Sequence, residues 1–258
     1  MIHRQWFEPG ATTREGEGEG SSLRLPLVLL HEGLGSISAW GSFPQGLADA
    51  SGRRVLAYDR AGYGRSGPKP GPWPAEFMHH EAAGLAAVMA SESLDRVVLV
   101  GHSDGATISL LYPSQAPAGS TEVAGIVSLS AHVMVEEVNV EAIETLRATY
   151  REGLDDALAH HHDDADTLFE TWSDVWVSDR FRPWTIDEEL ATVSCPVLAV
   201  QGEADGYGTM TQIDRLVAAV SGPTERVGLA GVDHWPHKEA RQEVLDLVTR
   251  FADRIDPG

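Results

Sequence analysis

Val97-Val98-Leu99-Val100-Gly101-His102-Ser103-Asp104-Gly105-Ala106 is the stretch on which the fold turns. Its first four residues are branched and apolar, which suits a strand buried on both faces. Gly101 to Gly105 then have the pattern Gly-x-Ser-x-Gly, and an apolar helical run follows at 105–112. Strand, tight turn and helix in that order hold Ser103 on a strained backbone with its hydroxyl exposed, while the two glycines let strand and helix approach closely. The start of the helix aims backbone N–H groups at the same point, where negative charge is favoured.

On either side the pattern repeats. The runs at 25–30, 54–58, 123–129 and 196–200 are short and rich in Val and Leu, and helix-like spacing fills 36–50, 75–91 and 209–220. A last helical pattern at 236–255 puts Val244, Leu247, Val248 and Phe251 on one face. Strands alternating with helices imply an α/β fold, with a mostly parallel central sheet covered by helices on both faces. The region 133–190 breaks the alternation, because it holds no strand-like run. Ile143, Leu146, Tyr150, Leu154 and Leu158 recur there at helical steps, as do Leu168, Trp172 and Trp176 after a cap expected at Asp166. It reads as an all-helical lid (133–190) set into a core made of 1–132 and 191–258. The alternating Gly and Glu of 14–22 have no apolar face to bury and suggest an exposed turn between two short N-terminal strands.

Composition narrows the function. The 258 residues are 42% hydrophobic and carry a formal net charge of −20, which disfavours nucleic acid and anionic membranes as partners and leaves a small molecule. No apolar run approaches the roughly 20 residues of a membrane span, and no secretory signal is evident, so a cytoplasmic location is expected. Cys195 is the single cysteine, so no internal disulfide can form; a small buried thiol is expected there.

A serine hydroxyl needs a base, and the base needs an orienting acid. Asp205 follows the run at 196–200, at the carboxyl end of a strand where open α/β sheets place their sites; Glu203 is its rival. His234 lies in a loop before the last helix. Its rival, His237, follows Pro236 and falls inside the first turn of that helix. An oxyanion would need two donors. The amide of Asp104 is one, and the glycine-rich His31-Glu32-Gly33-Leu34-Gly35-Ser36 supplies the other, assigned to Gly33 with Glu32 and Leu34 as alternatives.

These residues together resemble the α/β-hydrolase superfamily over nearly the whole chain. Asp59-Arg60-Ala61-Gly62-Tyr63-Gly64-Arg65-Ser66-Gly67 is similar to the family's turn motif after the fourth strand. The 31–36 stretch is similar to its His-Gly oxyanion loop, with Glu32 where glycine is usual, and Ala106 stands where glycine is common. The resemblance implies about eight strands, a cap between the sixth and seventh, a Ser103–His234–Asp205 triad and no cofactor. Serine as the nucleophile argues against haloalkane dehalogenases and epoxide hydrolases, whose members use aspartate. An ester or thioester with an apolar acyl group is the leading substrate class. A carbon–carbon bond hydrolase, an acyltransferase and a non-catalytic ligand-binding protein are the alternatives.

Three weaker signals lie in the lid. Trp172, Trp176 and Trp184 are candidates to line an acyl pocket or to form the lid's own core. His160-His161-His162-Asp163-Asp164 is read as a solvated helix end with no metal, since consecutive helical residues do not share a face. Arg147, Arg151, Arg180 and Arg182 are expected to pair with acidic neighbours.

Overall fold

A computed structural model describes residues 1–10, 24–69 and 71–256; the Gly-Glu stretch at 14–22, with the turn expected there, lies outside them. Strands β1 (Arg4–Phe7), β2 (Leu27–Leu30), β3 (Val55–Tyr58), β4 (Arg96–His102), β5 (Glu122–Leu129), β6 (Val197–Gly202) and β7 (Thr224–Leu229) form one sheet in the order β1-β3-β2-β4-β5-β6-β7. β1 runs antiparallel to β3, and every other pairing is parallel. The sheet of the described residues thus has seven strands rather than the eight expected.

The unbroken apolar runs are explained by burial on both faces. Val28, Leu30, Val97 and Leu99 join one core with helices α2 (Phe77–Ser91), α3 (Asp104–Gln115) and α8 (Thr211–Ala219). Leu27, Leu29, Val98 and Val100 face the other way, toward α1 (Phe43–Ser51) and α10 (Arg241–Ile255). Successive strand side chains point to opposite faces, so with helices on both sides these central positions are apolar on both.

The strand order also fixes where a site can form. The chain leaves β2 through α1 to β3 on one side, then returns through α2 to β4 on the other. At that reversal the carboxyl ends of β2 and β4 leave a crevice between their loops. The loop containing Glu32 and the turn at Ser103 flank it.

Helices α4 (Glu137–Thr149), α5 (Leu154–Ala159), α6 (Ala165–Trp176) and α7 (Asp187–Leu190) lie between β5 and β6. With seven described strands, this insertion follows the fifth rather than the sixth. Leu168, Trp172, Val175, Trp176 and Phe181 share the core of the α2–α3 face. Two local readings change. The cap of α6 is Asp164, whose carboxylate accepts the Thr167 N–H at 3.2 Å, whereas Asp166 accepts bonds from Tyr150 and Arg151. The last helical pattern is broken at Ala240 into α9 (Pro236–Glu239) and α10. Cys195 is half-buried rather than buried. Among the described residues no helix is long and apolar enough to cross a membrane.

Candidate active site

Ser103 sits between β4 and α3 at φ 52°, ψ −120°, a conformation L-residues rarely adopt. The turn is held by the Ser103 N–H donating to the Leu129 carbonyl at 2.9 Å, and by close packing on glycine, since a Cβ at Gly105 would overlap the Leu30 carbonyl. The strain is the kind that a rigid surround maintains at functional positions.

Two further loops reach this serine. His234 Nε2 lies 3.0 Å from Ser103 Oγ, and His234 Nδ1 lies 2.9 Å from each carboxylate oxygen of Asp205. Asp205 also accepts the N–H groups of Tyr207 and Gly208, at 2.8 and 3.2 Å. Burial by itself would raise the Asp205 carboxyl, but the bonds from His234 and the Tyr207 amide outweigh it and hold it below the usual carboxylate range. The ionised carboxylate therefore accepts a hydrogen bond from Nδ1–H, leaving Nε2 as the acceptor for the Ser103 hydroxyl. His102 Nε2 donates to the His234 carbonyl at 2.8 Å and fixes that loop.

The rivals do not converge. Glu203 is exposed. His237 is buried against Trp40, Phe43 and His102, and among the described residues neither of its ring nitrogens has a partner.

A model of the alpha/beta hydrolase family matches residues 27–247, which takes in β2 through the first half of α10. The chain belongs to the alpha/beta hydrolase family. It is 24% identical over 294 residues to Epoxide hydrolase A of Mycobacterium tuberculosis, covering 88% of this chain and 90% of that one. It is also 27% identical over 223 residues to Serine hydrolase BPHL of Mus musculus, covering 81% and 71%. The crystal structure of proline iminopeptidase from Mycobacterium smegmatis shares the fold, with a TM-score of 0.70 at 20% identity over 99% of this chain and 95% of that one.

In this hydrolase Ser103 and His234 open onto a cavity of about 70 Å³ beneath the helical insertion. Trp172 and Trp176 line it, together with Ile143 and Leu146. Trp184 does not. It stacks on Phe181 at 4.9 Å inside the insertion, in line with the second of its two readings rather than with a pocket role. His132, Tyr207 and Trp235 line the cavity without having been singled out by sequence. For Tyr207 and Trp235, proximity in sequence to Asp205 and His234 was the available signal. His132 carried none. Burial lowers its imidazole to about 4, so it is neutral beside His234.

The loop after β2 is held by its carbonyls. Three donors meet on the Glu32 carbonyl: His31 Nδ1 at 2.8 Å, Arg60 Nη2 at 2.7 Å and the Gly35 N–H at 3.0 Å. The amides of Gly33 and Leu34 have no acceptor among the described residues, and both residues line the cavity. Gly33 backs directly onto the indole of Trp172 and has no room for a Cβ. At Asp104, the first residue of α3, the side chain accepts from Trp172 Nε1.

The histidine run in the insertion is a solvated helix end at His160, Asp163 and Asp164, which are exposed, but not at His162. His162 is 7% exposed and bonded at both ring nitrogens, and among the described residues no group of His, Cys, Asp or Glu is arranged to hold a metal. The insertion's arginines are engaged, Arg147 with Asp174, Arg151 with Asp166, Arg182 with Glu137, and Arg180 with the Trp73 carbonyl.

Proposed function

We propose that this hydrolase cleaves a small carboxylic ester or thioester through an acyl-enzyme intermediate, with Ser103, His234 and Asp205 as its triad. The observation that carries this reading is the continuous bonded chain from Ser103 Oγ through both nitrogens of His234 to Asp205. His234 Nε2 takes the hydroxyl proton as Ser103 Oγ attacks the carbonyl carbon. Nδ1–H stays on the Asp205 carboxylate, which favours the imidazolium so formed. Collapse of the tetrahedral intermediate passes that proton to the leaving oxygen or sulfur. Water, deprotonated by the same nitrogen, then releases the acid and frees Ser103.

The oxyanion falls to the amides of Asp104, at the start of α3, and Gly33. Serine at the elbow separates this chain from epoxide hydrolases that carry aspartate there. The helices of 133–190 act as a cap, and Trp172, Trp176, Ile143 and Leu146 give the acyl group apolar walls. A cavity this small favours short acyl chains.

Asp104 supports a second reading of the substrate. Asp104 is 1% exposed, and its Oδ1 has no partner among the described residues. An unpaired buried acceptor is costly, and an acyl group bearing an N–H donor would satisfy it. Amine-bearing esters would then outrun neutral esters of the same size, and D104N would erase the difference.

The test is reaction with a fluorophosphonate probe followed by intact-mass analysis, wild type beside S103A. One adduct on the wild type and none on the variant supports the activated serine. A folded wild type that stays unlabelled overturns the acyl-enzyme reading, and equal labelling of both proteins removes Ser103 from it.

A further inference from the structure

His162 lies between α5 and α6, on the insertion, yet both its bonds are to the core. The Gly64 N–H donates to Nδ1 at 2.9 Å. An N–H donor there makes Nδ1 the acceptor, so the proton is on Nε2, which donates to the Leu34 carbonyl at 2.9 Å. The tautomer follows from these partners alone.

The Leu34 carbonyl is one end of a relay. In a trans peptide the C=O and N–H of one unit point in opposite directions, and the Leu34–Gly35 peptide is trans. Its N–H, that of Gly35, donates to the Glu32 carbonyl at 3.0 Å. The Glu32–Gly33 peptide is trans as well, so its N–H, that of Gly33, points away from the three donors on Glu32. Hydrogen bonds linked head to tail through peptides polarise one another.

Resting on the acyl-enzyme reading above, we propose that His162 is a positioning residue for the oxyanion. Through the Leu34–Gly35 and Glu32–Gly33 peptides, it orients and polarises the Gly33 amide toward the substrate carbonyl. The cap and the oxyanion loop are thereby one mechanical unit. Docking of the insertion through His162 completes the donor set, and loss of that contact frees the loop.

Ionisable groups face His162 from three segments. His31 and Glu32 face it from the loop after β2, and Asp59 and Tyr63 from the turn after β3. His161 and Asp163 flank it on its own segment, with His3, His160 and Arg65 around the shared cleft. Burial holds the imidazole below the usual histidine range, ahead of the contrary pull of the Leu34 carbonyl. Protonation would put a hydrogen on Nδ1 against the Gly64 N–H and break that anchor. The contact is thus intact at neutral pH and is lost in acid.

The experiment compares wild type, H162A and H162Q with a short acyl ester, measuring kcat and KM across pH together with fluorophosphonate labelling. H162A should lose about tenfold or more in kcat, an indirect fraction of the effect of deleting a donor outright, with KM moved far less. H162Q has a side-chain amide that can both accept and donate, and should recover most of the loss. It should also lack one of the protonations that shape the acid limb of the wild-type profile. A folded H162A with wild-type kcat overturns the inference. If H162A does not fold, an H162Q acid limb identical to that of the wild type overturns it. Failure of the underlying reading looks different, since the wild type itself is then unlabelled or S103A labels equally.

Discussion

Trp172 Nε1, on helix α6 of the insertion, donates a 3.0 Å hydrogen bond to Asp104 Oδ2, the side chain of the residue that follows Ser103. The same indole packs directly against Gly33. One side chain of the insertion therefore touches both residues assigned to the oxyanion. Helix α6 and these two residues are thus in direct contact.

Substituting W172F keeps an aromatic ring against Gly33 but leaves the Asp104 carboxyl with no bonded partner. Removing one partner of a buried charged acceptor costs about 1–3 kcal/mol. Urea unfolding should show a loss of that size, and a change below about 0.5 kcal/mol, within the range of ordinary surface substitutions, would argue that water already satisfies Asp104.

Replacing the acid tests the proposed triad. In D205N the side-chain amide can still accept the Tyr207 and Gly208 N–H groups, so the loop should hold. The Nδ1 proton of His234 loses its anionic partner, and kcat should drop roughly a thousandfold or more, with the circular dichroism spectrum unchanged. Wild-type turnover in folded D205N would remove Asp205 from the triad.

The backbone at Ser103 supplies a stability test free of the hydroxyl. S103A and S103G both lack the nucleophile and differ only by a Cβ held at φ 52°. Relief of that conformation should make S103G more stable than S103A by about 1 kcal/mol, read as a higher urea midpoint. The opposite order would mean that the loop relaxes once the serine is gone.

Acid should destabilise the fold through its buried histidines. Burial is the leading cause of the lowered pKa of His31, His132, His162 and His237, with His132 down to about 4. In the unfolded chain each returns to about 6.5. Between those limits the unfolded state binds protons that the fold excludes, so stability falls as pH drops below about 6.5. Each group contributes a slope of up to about 1.4 kcal/mol per pH unit, and above that range the contribution is flat. Unfolding free energies measured from about pH 7 down to about pH 5 should decline steadily, and a level profile would show that these imidazoles are solvated.

The sequence by itself determined the alternation of strands and helices, the turn at Ser103, and the order in which Ser103, Asp205 and His234 follow their strands. These are local matters. Unbroken Val and Leu runs report burial on both faces, and Gly-x-Ser-x-Gly reports a turn that only small flanking residues permit. The tertiary structure decided what depends on contacts distant in the chain. Ser103 and His234 are 131 positions apart, and Trp172 and Asp104 are 68 apart. Nothing in the spacing of Trp172, Trp176 and Trp184 shows that the first two face the cavity and the third packs on Phe181, because spacing does not say which distant side chains each ring meets. His162 is the sharpest case. Among consecutive histidines, composition suggests an exposed helix end, but a buried imidazole must find a donor and an acceptor, and the fold supplies them in Gly64 and Leu34, 98 and 128 positions away. Local sterics and burial period set the scaffold, and the pairing of buried polar groups between the helical insertion and the core set the candidate site.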